Sequence, residues 1–575
     1  MPNQRNKQSR MIRSGQPISK KQFVLNLLGI NQQSSQLKPT KKQRVADILC
    51  LIVVCLGAGY LVTMQGFDSL PLNADSLAPF EEAKSLINTP GTHLFNIHVS
   101  RIPSIFPDLA INTLLQIVRP DAGFLEIFSL YSWCTSFLFL ALATLQINEI
   151  RPRKQTLTSN AIKISLVTIT LLNISHQFNI AYAHVITPVH HGGNALNTLL
   201  LLTLSLRLLK NPKQRGLRIA FTSLIVLAAL SNKLAIFTTA LPAAFIFLVH
   251  LRGKTRRDLL VQLIIATSSG LFIGSLLNEQ CASAVFNLSN TFISFKQYFQ
   301  ISWITLASAF LSIASLLYCY KERSGLAKAT SAGLTAISLS SLSYFLYLPI
   351  LTGRGQAPLR YICIPYLLIV VFIVFYIDRS TTKKQATGLI ALMIITIVSF
   401  QSPVGPYLNL TTHQSLKQDL IDRSERIDRF KYDAAEFIQT KGYASYLGLG
   451  EYWMTGATLI SNSKISLIPI LKDGKPDFWG ATPQDIREQI KPIKGNKAYV
   501  LSNDDSFIKK LEKQYGLPML TWNYDNETRE FTQEEIDTSN RLLIYNNKVI
   551  FNRINKKAKH FKRQCNQSLP NYRKR

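Results

Sequence analysis

The feature that most limits how this chain can fold is a series of apolar runs, each roughly 17–22 residues long, which is the length a helix needs to cross the hydrocarbon core of a bilayer. They fall near residues 45–64, 123–147, 161–183, 193–209, 217–231, 234–251, 259–277, 301–320, 329–349, 361–377 and 387–402. The stretch 217–251 is divided at Ser231-Asn232-Lys233, because a single long helix there would break the charge alternation of the later connections. About eleven membrane helices follow from this pattern.

Charge gives the runs a direction. The chain carries 64 Lys and Arg against 33 Asp and Glu, a formal charge of +31. In a soluble protein such an excess would suggest a nucleic-acid partner. Here the cations cluster in alternate connections: Arg151, Arg153 and Lys154; Lys210, Lys213, Arg215 and Arg218; Arg252, Lys254, Arg256 and Arg257; Lys321, Arg323 and Lys328; Arg379, Lys383 and Lys384. That distribution is a topology signal, so no nucleic acid is expected, and membrane lipids are the natural surroundings. The first 44 residues hold ten Lys or Arg and no acid, and no small-residue cleavage site follows the first run, so it reads as an uncleaved span. The positive-inside rule then puts the N-terminus and the basic connections in the cytoplasm and the C-terminal part on the far side. The expected organisation is a basic tail at 1–44, a polytopic domain at 45–402 with an acidic outer loop at 65–122, a small α/β domain at 403–552 and a basic tail at 553–575.

The α/β assignment rests on short β-rich pieces at Ser445–Gly448, Ile465–Leu471, Ala498–Ser502 and Leu542–Phe551. They alternate with helical patterns over Gln414–Thr440, 483–491 and 504–515. Seven cysteines show no framework spacing.

Candidate chemistry collects in the outer connections. The 65–122 loop is long, has Phe, Ile, Leu and Pro at helical spacings, and reverses the charge trend with Asp68, Asp75, Glu81, Glu82, Asp108 and Asp121 against three cations. Asp75, in Leu72-Asn73-Ala74-Asp75, and Asp108, after Phe106-Pro107, are candidate carboxylates for proton abstraction from an acceptor or for holding a divalent metal ion. Each is equally consistent with a helix cap. The second outer connection contains His184, His190, His191, Gly192 and Gly193 at a helix mouth, where imidazoles suit phosphate binding and His184 is a further metal candidate. Lys233 sits between two short helices and is also explained by snorkelling to headgroups. Arg354, Arg360 and Tyr361 open a late helix on the outer side, and an arginine pair there suits a phosphorylated lipid.

On these residues the chain resembles the GT-C superfamily of polytopic glycosyltransferases, and within it bacterial members with a Phe-Pro-Asp element (Phe106-Pro107-Asp108), a His-Gly-Gly element (His191-Gly192-Gly193) and an Arg-Tyr pair (Arg360-Tyr361). Tyr452-Trp453 also fits. The resemblance implies a membrane all-α GT-C-like body with a small C-terminal extracytoplasmic α/β domain. It also implies an inverting glycosyltransferase of the bacterial inner membrane, using a polyprenyl-phosphate-linked sugar donor and a lipid, glycan or protein acceptor on the periplasmic face. Asp75 and Asp108 carry over as the catalytic acids. Arg354, Arg360, Tyr361, Lys233, His190 and His191 carry over as substrate contacts, and no cofactor other than a divalent metal ion is implied. Two departures stand out: Asp75 is followed by Ser76 rather than Glu, and Ser231 by Asn232 rather than Asp. The competing class is a glycolipid or solute transporter, which predicts repeated halves and ionisable residues at mid-membrane.

Overall fold

A computed structural model describes residues 41–67, 74–88, 104–150, 156–188, 192–277, 303–322, 327–351, 363–379, 418, 420–421, 429–451, 454, 465, 467–470 and 495–556. The membrane body consists of α1 (Lys41–Gly66), α2 (Ala74–Asn88), a π-turn (Ile105–Leu109), α3 (Ala110–Val118), α4 (Phe124–Ile150), α5 (Leu157–Ile174), α6 (His176–Ile186), α7 (Gly192–Lys210) and α8 (Arg215–Ser231). It continues with a second π-turn (Ile236–Ala240), α9 (Leu241–His250), α10 (Gly253–Leu277), α11 (Trp303–Lys321), α12 (Lys328–Leu351) and α13 (Cys363–Arg379). Every expected run from 45–64 to 361–377 coincides with one of these helices or a consecutive pair; the run at 387–402 lies outside the described residues. Among the described residues, α1, α4, α5 and α10 are long and apolar enough to cross a membrane.

Two differences from the sequence reading have local causes. The run 161–183 is broken at Ser175, whose extended backbone ends α5 and whose hydroxyl accepts the Phe178 N–H to cap α6. The long outer loop is also far from uniformly outward: α2 turns Glu81 and Glu82 inside, at 3% and 1% exposure.

Hydrogen bonds fix the bundle's two ends. At the first, Asp47 of α1 accepts from the N–H groups of Leu157 and Thr158 at 2.8 and 3.0 Å, capping α5. Glu149, near the end of α4, pairs with Arg207 at 2.8 Å and Lys210 at 2.6 Å from the end of α7. Thr330, at the start of α12, donates to the Ile150 carbonyl. Lys163 of α5 pairs with Asp378 of α13 at 2.9 Å, both side chains almost fully buried. This is the end that carries the basic connections. At the opposite end lie Gln65, bonded to Asn173, and Ile186, whose carbonyl accepts from Ser132 at 2.9 Å.

α8 and α10 run parallel, with Arg218 opposite Gln262, Val226 opposite Gly270 and Leu230 opposite Gly274. A Cβ on Gly270 would fall 2.5 Å from the Val226 carbonyl and one on Gly274 2.8 Å from that of Leu230. The glycine pair, spaced by four, therefore lets the two backbones touch, which is how membrane helices gain dispersion contact when lipid is as apolar as their side chains.

The C-terminal region is a mixed sheet of order β2-β1-β3-β6-β4-β5, with β1 (Leu447–Glu451), β2 (Leu467–Ile470) and β3 (Lys497–Ser502) parallel and β4 (Leu520–Asp525), β5 (Glu530–Thr532) and β6 (Arg541–Asn546) antiparallel. Alternation along β3 sends Ala498 and Val500 to α15 (Asp505–Tyr515), which contributes Phe507, Ile508 and Leu511. Tyr499 and Leu501 face α14 (Arg429–Thr440) with Phe430, Ala434 and Ile438. The β4–β5 hairpin is absent from the sequence reading. The strand expected over Leu542–Phe551 stops at Asn546, because Asn547 turns the chain: its side chain donates to the Tyr515 carbonyl and accepts the Val549 N–H. The helical pattern at 483–491 lies outside the described residues.

Candidate functional site

Three sequence elements meet at the end of the bundle opposite the basic connections. The segment before α3 leaves Ser104 in a left-handed conformation (φ 38°), passes through a cis Phe106–Pro107 peptide and closes as the π-turn that presents Asp108. Ser231, the last residue of α8, holds this segment from one side. Its carbonyl accepts the Ser104 N–H at 3.2 Å and its hydroxyl accepts the Phe106 N–H at 2.8 Å. Asn197 of α7 holds it from the other side, donating to the Phe106 carbonyl at 3.0 Å. The Asn112 amide donates to the Asp108 carbonyl at 3.0 Å.

The Asp108 carboxylate is buried, at 2% exposure. Tyr131 of α4 donates its hydroxyl to Oδ1 at 2.6 Å. The same oxygen lies against the first turn of α7: a Cβ on Gly193 would sit 2.6 Å from Oδ1 and 2.7 Å from Pro107 Cδ, so only glycine fits. Removing a carboxylate from water costs several kcal/mol unless donors and dipoles replace the lost hydration. A phenol donor and the positive end of a helix supply both here.

Gly192 is packed as closely on α6, with its built Cβ 2.2 Å from the Val185 carbonyl. The start of α7 is thus wedged between Val185, the neighbour of His184, and Asp108. His184 itself is half-buried in the last turn of α6. Beyond Gly193, α7 contributes Asn194 and Thr198 to a buried polar cluster with Thr238 and Thr239 of the second π-turn, where Thr198 bonds Thr238 at 3.1 Å. π-turns of this kind recur at functional sites, where they re-aim side chains within a helix.

Of the sequence candidates, Asp108, Gly192-Gly193 and Ser231 are brought together, and Lys233 stands exposed two residues beyond Ser231. Asn232, where the resemblance leads one to expect Asp, makes a local turn by accepting the Leu234 N–H at 2.9 Å. Asp75 occupies the first turn of α2, which packs against the Asp108 turn; its side chain lies outside the described part. His190, His191, Arg354, Arg360, Tyr361, Tyr452 and Trp453 lie outside the described residues.

Tyr131, Asn197 and Ser231 as a clamp were not anticipated. One signal was available: Ser129, Ser132 and Ser136 form a polar stripe at helical spacing inside an apolar run, marking the inward face of α4. Among the described residues, no three His, Cys, Asp or Glu side chains gather as a metal-binding set.

No protein family matches the sequence, and no curated protein sequence does. Among solved structures, the chain is similar to ArnT from Cupriavidus metallidurans, both apo and bound to undecaprenyl phosphate, with 11% identity and a TM-score of 0.49 in each case. These alignments cover 87% and 88% of this chain and 98% of ArnT. It is also similar to the Archaeoglobus fulgidus oligosaccharyltransferase in complex with Zn and sulfate, with 11% identity and a TM-score of 0.40 over 83% of this chain and 72% of that one.

Proposed function

We propose that this protein is an inverting membrane glycosyltransferase of the GT-C type, moving a sugar from a polyprenyl-phosphate carrier to a lipid, glycan or protein acceptor at the periplasmic face of a bacterial inner membrane. The observation that carries the reading is the meeting of Phe106-Pro107-Asp108, Gly192-Gly193 and Ser231 at the end of the bundle away from the basic connections. The isoprenoid tail of such a donor accounts for a membrane body, and its phosphate for a helix start flanked by histidines.

In this reading the acceptor hydroxyl attacks the anomeric carbon on the side opposite the phosphate. The new C–O bond forms as the sugar–phosphate bond breaks, and the anomeric centre inverts. The hydroxyl proton passes to the Asp75 carboxylate, and polyprenyl phosphate leaves with the electron pair. His190 and His191, which precede α7, receive the phosphate together with Lys233, Arg354 and Arg360, while Tyr361 lines the sugar's path. Asp108 is a positioning residue: buried and bonded to Tyr131, it locks the start of α7 against the Phe106–Pro107 segment.

The test is consumption of radiolabelled polyprenyl-phosphate-sugar by the protein in nanodiscs, comparing wild type with Asp75→Asn. Turnover by wild type and a loss of about 10³-fold in the variant are expected for removal of a general base. Equal turnover by both proteins refutes the assignment of Asp75, and absence of turnover in both, with the lipid still bound, refutes transfer. An EDTA arm reports separately on any divalent-cation requirement.

A further inference from the structure

At the basic end of the bundle, the two parallel helices α8 and α10 part to form a groove of about 620 Å³. Its polar mouth carries Lys213, Arg215, Arg218 and Arg257, against the single acid Asp258. Among the described residues, none of these four cations has an ion-pair partner. Below the mouth the walls turn apolar and stay uncovered: Ile219 is 55%, Val261 47% and Ile265 60% exposed. Gln262 lies among these apolar side chains. Its carbonyl accepts from Arg218 Nε at 3.0 Å and its amide donates to Thr222, so the guanidinium is fixed through Nε.

We propose that this groove binds the headgroup of an anionic phospholipid, with its acyl chain laid along Ile219, Val261 and Ile265. The order of chemistry along the two helices matches such a lipid: cations at the mouth, then bare apolar side chains within the next two turns, interleaved with the Thr222–Gln262 pair. Both helices also begin at this end, so their positive dipole ends add to the field. Fixing topology needs cations somewhere along this rim, and Arg252, Lys254 and Arg256 would serve. Topology does not require a cleft, nor a guanidinium oriented by a glutamine above an apolar wall. Arginine's fork is the geometry for a phosphodiester, and juxtamembrane cations are what attract anionic lipid. The site lies at the opposite end from Asp108 and is independent of the transferase reading.

The test is native mass spectrometry of the detergent-purified full chain titrated with phosphatidylglycerol or phosphatidylcholine. Wild type is expected to retain one phosphatidylglycerol in preference to phosphatidylcholine. Arg218→Gln/Arg257→Gln is expected to weaken that binding about thirty-fold, equivalent to about 2 kcal/mol at 1.4 kcal/mol per decade. The matched pair Lys254→Gln/Arg256→Gln removes the same charge from the same end outside the groove, and is expected to change binding less than threefold. Equal weakening by both pairs would reduce the effect to general surface charge and overturn the site. So would equal retention of the two lipids by wild type, or displacement of phosphatidylglycerol by inorganic phosphate at the same free concentration.

Discussion

The two ends of the helical body handle buried charge differently. At the basic end, carboxylates meet cations or cap helices: Lys163 with Asp378, Glu149 with Arg207 and Lys210, Asp47 at the start of α5. These contacts tie helix ends together, and each helix involved starts or stops there. At the opposite end, Asp108 is held by a phenol and by the glycine start of α7, on a turn clamped by Ser231 and Asn197. Ion pairs tolerate some displacement, because the attraction falls slowly with distance. A hydrogen bond of 2.6 Å beside a helix backbone tolerates little. The first end is built to anchor, the second to hold a shape.

That contrast sets the order of expected damage. Lys163→Met leaves Asp378 buried beside an apolar side chain and should cost about 3–5 kcal/mol of stability, while Lys163→Met/Asp378→Leu should recover most of it. Thermal unfolding in detergent checks this, and a double variant as unstable as the single would mean that the pair contributes shape rather than charge balance. At the other end, Tyr131→Phe removes the donor to Asp108 and should cost about 1.5–3 kcal/mol, with a fall in turnover at unchanged acceptor KM. Asp108→Asn/Tyr131→Phe should then lose less than the sum of the singles.

Gly193→Ala forces a Cβ into Asp108 and Pro107 and should cost about 1–3 kcal/mol. Gly216→Ala, at the basic end with nothing within 4 Å of the new methyl, should be neutral or stabilising. Equal effects of the two glycine changes would erase the distinction between the ends.

The smallest effect lies outside the membrane body. Tyr524 donates to Asp433, which also pairs with Arg529 at 2.7 Å; burial, then the hydrogen bond to Asp433 and its charge, push the phenol up from the ordinary 10 to about 12. Its folded pKa is raised, so its contribution is complete below pH 10 and disappears as pH rises through about 12. The C-terminal sheet should therefore lose stability between pH 10 and 12 in wild type and show a flatter profile in Tyr524→Phe, as followed by tryptophan fluorescence.

The membrane helices were legible because length and apolarity leave few alternatives, and the break after Ser231 because charge alternation demands it. The C-terminal sheet was legible in β1, β2, β3 and β6, where buried positions dominate. It was not legible in β4 and β5, which are mostly half-buried and carry Trp522, Asn523 and Tyr524 without clean alternation. The site shows the same division. Phe106-Pro107-Asp108, His191-Gly192-Gly193 and Ser231-Asn232 each stand out in sequence, but Phe106 and Ser231 are 125 residues apart and only the packing of α8 on the Asp108 turn joins them. Lys163 and Asp378, 215 residues apart, look like ordinary helix-flanking charges until the bundle is assembled.

In the proposed reaction the sugar-phosphate donor binds at the Asp108 end. The most direct measurement is photo-crosslinking with a polyprenyl-phosphate-sugar carrying a photoreactive group next to the phosphate, followed by peptide mapping. Label is expected in residues 104–131, 192–198 and 231–238, abolished by excess unlabelled donor. Label confined to residues 213–222 and 257–265, at the basic end, would contradict it.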